Sequence, residues 1–151
     1  MKIDGSYTIN APRELVWRSL LDPDILAKTI PGCEKLTTTG ENRYTAVVKA
    51  GVGAIKGTFN SEFSLSDIDP GNAYTLVSKA KAPVGFVEGS GRVTLEGGTD
   101  GKPTVVKFAG DVKMGGMLAS IAGRLFEAAA RKNTDDMFER LRTLVEHRES
   151  S

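Results

Sequence analysis

The stretch 115–130, GGMLASIAGRLFEAAA, decides how the rest of the chain is understood. Apolar residues recur in it at helical spacing, and an amphipathic helix buries its apolar side. Yet Ala119, Ala122, Gly123, Ala128 and Ala129 occupy much of the side to be buried. Packed interiors leave few voids wider than a water molecule, so a helix that fills a core brings large side chains. This segment is built to leave room.

Followed downstream, the same periodicity predicts one long helix from Gly116 to about His147, roughly 45 Å at 1.5 Å per residue. Leu118, Ile121, Leu125 and Ala129 share one side of it, whereas Met137, Leu141 and Leu144 lie well round from them. A nine-residue strand spans only about 30 Å, so the helix outruns a sheet of ordinary strands. A bend or break near Lys132-Asn133-Thr134-Asp135-Asp136, or a second surface met by the last turns, accounts for both facts.

Upstream, Ile3 to Ile9 alternates like a half-buried strand and stops at Asn10-Ala11-Pro12. Leu15, Val16, Trp17, Leu20 and Leu21 then recur at helical spacing as far as Asp22-Pro23, and a second short helix covers about Pro23 to Thr29. From Glu34 to Met114 the pattern is strands separated by turn signals: Gly40-Glu41-Asn42, Asp69-Pro70-Gly71-Asn72, Ala82-Pro83 and Gly97-Gly98-Thr99-Asp100-Gly101. Short connections favour an antiparallel meander. The expected architecture is α+β: a curved antiparallel sheet of about seven strands around a long C-terminal helix, with two short helices after the first strand plugging one end. At 151 residues the chain, 1–151, is one domain.

Alternation assigns an inner face to the sheet: Tyr44, Ala46, Val48 and Ala50; Phe59, Ser61, Phe63 and Leu65; Tyr74, Leu76, Ser78, Ala80 and Ala82; Val87, Gly89, Gly91, Val93 and Leu95; Val106, Phe108, Gly110, Val112 and Met114. Small residues fall in the middle of several of these strands, opposite the small residues of the helix. Glycines at bulges and close backbone approaches would produce the same pattern with no cavity. A dry void of about 300 Å³ would cost on the order of 7 kcal/mol, so a large hollow holds an apolar ligand or opens to water. Its lining is assigned to Phe59, Phe63, Leu76, Val87, Phe108 and Val112 of the sheet and to Met117, Leu118, Ile121, Ala122, Leu125 and Ala129 of the helix segment.

The composition narrows the chemistry. Twenty Lys and Arg against 19 Asp and Glu leave a formal charge of +1 with the signs interleaved, so nothing gathers phosphates and no nucleic acid partner is assigned. One cysteine, Cys33, and one histidine, His147, exclude an intramolecular disulfide, a Cys/His zinc site and a Ser-His or Cys-His pair. No metal and no cofactor are assigned. The amino terminus shows no signal peptide or membrane span, which points to a cytoplasmic protein. GVGAIKG lacks the GK[ST] ending of a phosphate loop and lies between strands, so it is a bending strand or a rim. Cys33 reads as a small hydrophobe, Trp17 as core packing, and Arg124, Glu127 and Arg131 as exposed pairs.

Several stretches together carry a family likeness: IPGCEKL (30–36), VGAIKGTF (52–59), Asp69-Pro70 followed by Tyr74, GFVEGSGRVTL (85–95), GDVKMGGMLASIAGRLFEAAA (110–130) and DDMFERL (135–141). Over nearly the whole chain they resemble the CoxG family of carbon monoxide dehydrogenase subunits, within the START/polyketide cyclase-like superfamily, whose fold is the helix grip. The resemblance implies a non-catalytic accessory protein of CO dehydrogenase-type molybdenum hydroxylases, which holds a quinone or other lipid in an apolar cavity and helps recruit the enzyme to the inner face of the cytoplasmic membrane as a peripheral protein. Two alternatives stand beside it. One is an interaction module without ligand, docking a hydroxylase subunit or another copy of itself through the outward sheet face or through the helix end that carries Met137, Leu141 and Leu144. The other is an enzyme of the cyclase or hydratase kind working through Tyr44 or Tyr74.

Overall fold

The computed structural model describes residues 1–121 and 123–150. Strand β1 (Lys2–Ile9) leads into helices α1 (Arg13–Leu20) and α2 (Pro23–Thr29), followed by six strands: β2 (Cys33–Gly40), β3 (Arg43–Val52), β4 (Ile55–Asp69), β5 (Ala73–Ala82), β6 (Gly85–Gly97) and β7 (Thr104–Gly116). A single 3₁₀ turn, Met117–Ser120, then precedes helix α3 (Gly123–Ser150). All seven strands join one antiparallel sheet in the order β1-β7-β6-β5-β4-β3-β2. The meander from β2 to β7 runs in chain order, and β1 closes onto β7. This is the expected α+β helix-grip architecture.

Local chemistry sets the ends of the short helices. Asp22 caps α2 by accepting from the Asp24 backbone N–H at 2.9 Å, with Pro23 in the first turn where its missing N–H costs nothing. Arg13, at the start of α1, donates through Nε to the Gly97 carbonyl at 2.7 Å and through Nη1 to Asn72 Oδ1 at 2.8 Å, which ties α1 across the end of the sheet. Thr104, fully buried, donates its hydroxyl to the Ala11 carbonyl at 2.7 Å.

Beneath this cap lies the core: Ile9, Val16, Leu20 and Ile25, with Leu95 and Val106 from the sheet and Phe138, Leu141 and Val145 from α3. Ile9, Val16, Val106 and Val145 have no exposed surface. At about 1.5–3 kcal/mol for each fully buried large aliphatic side chain, this end supplies a concentrated share of the stability.

The long helix departs from its predicted start. Instead of beginning at Gly116, the chain continues as β7 up to that residue, with Gly116 still paired to Gly85 of β6. Both glycines have positive φ, 70° and 141°, and a Cβ on Gly116 would stand 2.7 Å from the Gly85 Cα. Cross-strand pairing at a close approach that only glycine permits outweighs the weak helix preference of Gly115-Gly116. Leu118 and Ile121 therefore precede α3 and cannot share a helical stripe with Leu125 and Ala129.

Leu125 is also half exposed, so the buried stripe of α3 runs through its neighbour Phe126 instead. Phe126, Ala130, Thr134, Phe138, Leu141 and Val145 recur every three or four residues and are buried or half-buried, so α3 runs unbroken through Lys132 to Asp136. The length difficulty disappears for a second reason. Strands β4, β6 and β7 hold 15, 13 and 13 residues. At about 3.3 Å per residue they match a helix of roughly 42 Å.

Candidate functional site

The register of the sheet decides what faces α3. Across the strands, Tyr44, Phe63, Ser78, Gly89 and Val112 stand in one row, and Ala46, Ser61, Ala80, Val87 and Met114 in the next. Ser61, Ser78, Ala80 and Gly89 thus form one contiguous floor of small residues on the concave face. Each is half-buried, as are Phe63, Leu76, Val87, Phe108 and Val112 around them. An inner face packed solid against its helix would show no such access.

The helix side fits that floor. Between the buried Phe126 and Phe138, the inward positions of α3 are Ala129, Ala130 and Thr134, all half-buried. Of the small residues expected on the buried side, Ala129 is half-buried, whereas Ala119, Gly123 and Ala128 are exposed, so only part of the alanine-rich segment turns inward.

The glycines of the concave face divide into two kinds. A Cβ on Gly91 would stand 2.7 Å from the Phe108 ring and 2.9 Å from the Ala109 carbonyl, and one on Gly110 would meet the Ser90 carbonyl at 2.5 Å. One on Gly5 would stand 2.7 Å from the Tyr7 hydroxyl. At these three positions aromatic rings or neighbouring backbone take the space, as close approach demands. Gly89 differs: a Cβ there would find only ordinary contacts, the nearest at 3.4 Å. Three of these four glycines therefore sit at tight approaches, and Gly89 alone has room for a methyl group.

Three tyrosines serve this face. Tyr7 stacks on Phe138 with centroids 4.3 Å apart and donates to Asp135 Oδ1 at 2.6 Å, pinning α3 to β1. Burial, reinforced by the bonded carboxylate, pushes its phenol well above the usual tyrosine range. Tyr44 stacks on Phe63 at 5.0 Å, and Tyr74 meets Trp17 of α1 edge-on at 5.8 Å. Burial, with a smaller contribution from Tyr44, likewise pushes the Tyr74 phenol up, so it stays protonated. Tyr7 is absent from the sequence-based candidates although its alternation with Ile3, Gly5 and Ile9 places it on the same face. Phe126 was equally legible, four residues before Ala130 and eight before Thr134.

The assigned lining residues are distributed unevenly. Phe59 is buried, and Leu118 is buried in the 3₁₀ turn against Gly85. Ile121 is half-buried in extended backbone, and Ala129 half-buried on α3. Met117 and Leu125 are 58% and 48% exposed, Leu125 beside Gly53 of the β3–β4 hairpin. Ala122 lies outside the described residues. Met137, Leu141 and Leu144, the stripe expected to dock a partner, belong to the core instead.

The remaining features fall in place around this site. The GVGAIKG stretch forms the turn from β3 to β4, with Gly53 at φ 61° and a shallow concavity of about 570 Å³ lined by Lys49, Gly53, Lys56 and Thr58. A second, of about 510 Å³, lies beside Asp4, Ser6, Arg92 and Lys107. Neither is lined by Ser61, Ser78, Ala80 or Gly89. Burial raises the Cys33 thiol, in keeping with a small hydrophobe. Glu127 and Arg131 pair at 3.2 Å along α3. Among the described residues no group of His, Cys, Asp and Glu is placed to hold a metal, and no helix is long and apolar enough to cross a membrane.

Comparison with known proteins fits this geometry. A conserved protein of Geobacillus kaustophilus superposes with a TM-score of 0.91 at 29% identity over 97% of this chain and 96% of its own. An aromatase/cyclase of a Streptomyces species gives 0.73 at 19% identity over 98% and 94% of the two chains. A Thermus thermophilus protein gives 0.70 at 15% identity over 96% and 97%. The last two likenesses concern the fold alone. No curated protein matches the chain. The family model for CoxG, a subunit of carbon monoxide dehydrogenase, matches residues 5–146, nearly the whole sheet and most of α3, and the chain belongs to that family.

Proposed function

We propose that this protein is a non-catalytic carrier that holds a hydrophobic small molecule, a quinone or another lipid, between the concave sheet and α3. In this reading it serves a CO dehydrogenase-type molybdenum hydroxylase and helps bring that enzyme to the inner face of the cytoplasmic membrane. The observation that carries it is the half-buried patch of small residues Ser61, Ser78, Ala80 and Gly89 on the concave face, together with half-buried Ala129 and Ala130 between the buried Phe126 and Phe138 of α3. A lined, largely apolar concavity with a few polar groups is what a small-molecule site requires. The family membership supports an association with carbon monoxide dehydrogenase. Against an enzyme stands the chemistry of the inner tyrosines: neither Tyr44 nor Tyr74 has a bonded base, and a buried, protonated phenol donates hydrogen bonds rather than abstracting protons.

Native mass spectrometry of gently purified protein, followed by lipid extraction, tests the proposal. The expected result is a reproducible neutral co-purifying lipid. Trp17, the one tryptophan, sits against Tyr74 and gives a fluorescence signal for refilling the emptied protein with quinone. A protein that is ligand-free as isolated and unresponsive to added quinones overturns the carrier reading.

A further inference from the structure

Resting on the carrier reading, we infer that the hydroxyls of Tyr44 and Tyr74 receive a carbonyl oxygen of the ligand. A neutral apolar molecule is thereby oriented with its polar head toward the end of the sheet capped by α1 and α2. Its hydrocarbon runs toward the β3–β4 and β5–β6 hairpins.

Both side chains are more than nine-tenths buried, Tyr44 at 6% and Tyr74 at 5% exposure, and both stand on the concave face near that capped end. Neither phenol makes a hydrogen bond to another described residue. Among the described residues, no side-chain nitrogen or oxygen that is shut off from solvent lacks a partner, so each of these two hydroxyls borders space that a water-sized group can enter. A ligand oxygen entering that space takes the place of water as the acceptor for these donors. The rings around the donors suit a flat apolar head, since Tyr44 stacks on Phe63 and Trp17 lies edge-on to Tyr74.

Charge selects the class of head group. Lys79, Lys81, Glu88, Arg92, Lys107 and Lys113 of the same strands alternate onto the opposite, convex face, where Lys113 pairs with Glu88 at 3.2 Å. A carboxylate or phosphate brought to Tyr44 and Tyr74 would be desolvated with no cation beside it, whereas a neutral carbonyl needs only the donors that are present.

The test compares two molecules of one shape, 2,3-dimethyl-1,4-naphthoquinone and 2,3-dimethylnaphthalene, by equilibrium dialysis against the lipid-stripped full chain. Blocking both ring positions of the quinone prevents addition of the Cys33 thiol. The quinone is expected to bind the wild type about tenfold more tightly than the hydrocarbon, the size of one or two net hydrogen bonds. In the Tyr44→Phe/Tyr74→Phe variant that preference is expected to vanish through weaker quinone binding, with hydrocarbon affinity unchanged. Infrared difference spectra give a second readout that needs no variant: the carbonyl stretch of the bound quinone is expected below its value in hexane. Equal quinone affinity in both proteins, or an unshifted carbonyl, overturns the head-group assignment and leaves the carrier reading intact. Failure of the wild type to bind either molecule overturns both.

Discussion

The two ends of the sheet are made of similar strands but packed to different standards. Under α1 and α2, Ile9, Val16, Val106 and Val145 are wholly buried, and Thr104 spends its hydroxyl on a backbone carbonyl. Toward the β3–β4 and β5–β6 hairpins, the inner positions hold serine, alanine and glycine with residual access, and the facing 3₁₀ turn and first turn of α3 leave Met117 and Leu125 exposed. One end concentrates stability; the other forgoes it. Such a division is expected of a binding protein, whose site cannot be close-packed without being closed. The Tyr7–Phe138 stack and the Tyr7–Asp135 hydrogen bond link the two, holding α3 over the sheet close to where its inward residues turn small.

The sharpest way to break this contrast is to truncate a large side chain at each end. Ile9→Ala at the closed end is expected to cost about 2–5 kcal/mol in urea unfolding, because it removes buried methylenes and leaves a cavity in a rigid wall. Leu125→Ala at the open end is expected to stay within about 0.5 kcal/mol. Comparable losses at the two sites would refute the division.

A second pair probes the concave face itself. Gly91→Ala forces a methyl against the Phe108 ring and the Ala109 carbonyl, and about 1–3 kcal/mol is expected from overpacking. Gly89→Ala, two residues away on the same strand and face, meets only ordinary contacts and is expected to be neutral or to stabilise by up to about 1 kcal/mol, since alanine restricts the unfolded chain. Equal effects would mean that the floor is sealed along its whole length.

The link between the ends is the subtlest to probe. Tyr7→Phe keeps the stack and loses the bond to Asp135, a change of about 1 kcal/mol at neutral pH. Its alkaline behaviour is more telling. The folded phenol is raised above its unfolded value near 10, so the unfolded state ionises first and stability falls as pH rises past about 10. The variant is expected to show a shallower alkaline loss in denaturation curves collected between neutral and high pH. An unchanged slope would show that Tyr7 is not held protonated by its surroundings.

Much of this was legible in the sequence for local reasons. Strand alternation needs only a two-residue period, and the inner and outer assignments of β3 to β7 follow from it. Asp22-Pro23 and the Pro-Gly and Asp-Gly turns punctuate the chain through backbone chemistry confined to a few residues. Three matters were settled only in the tertiary structure. Gly116 remains in the sheet because Gly85 lies opposite it, a residue 31 positions away in the chain. Gly91 and Gly89 are indistinguishable in a pattern, and it is the Phe108 ring and the Ala109 carbonyl that crowd the first while the second meets only ordinary contacts. Met137, Leu141 and Leu144 could have served a partner until α1 and α2 were seen to cover that face. Periodicity fixes which side of an element is apolar, because that depends on neighbours along the backbone. What the side meets, and how tightly, depends on atoms brought together by folding, and it is there that this protein separates a close-packed core from a half-buried face of small residues.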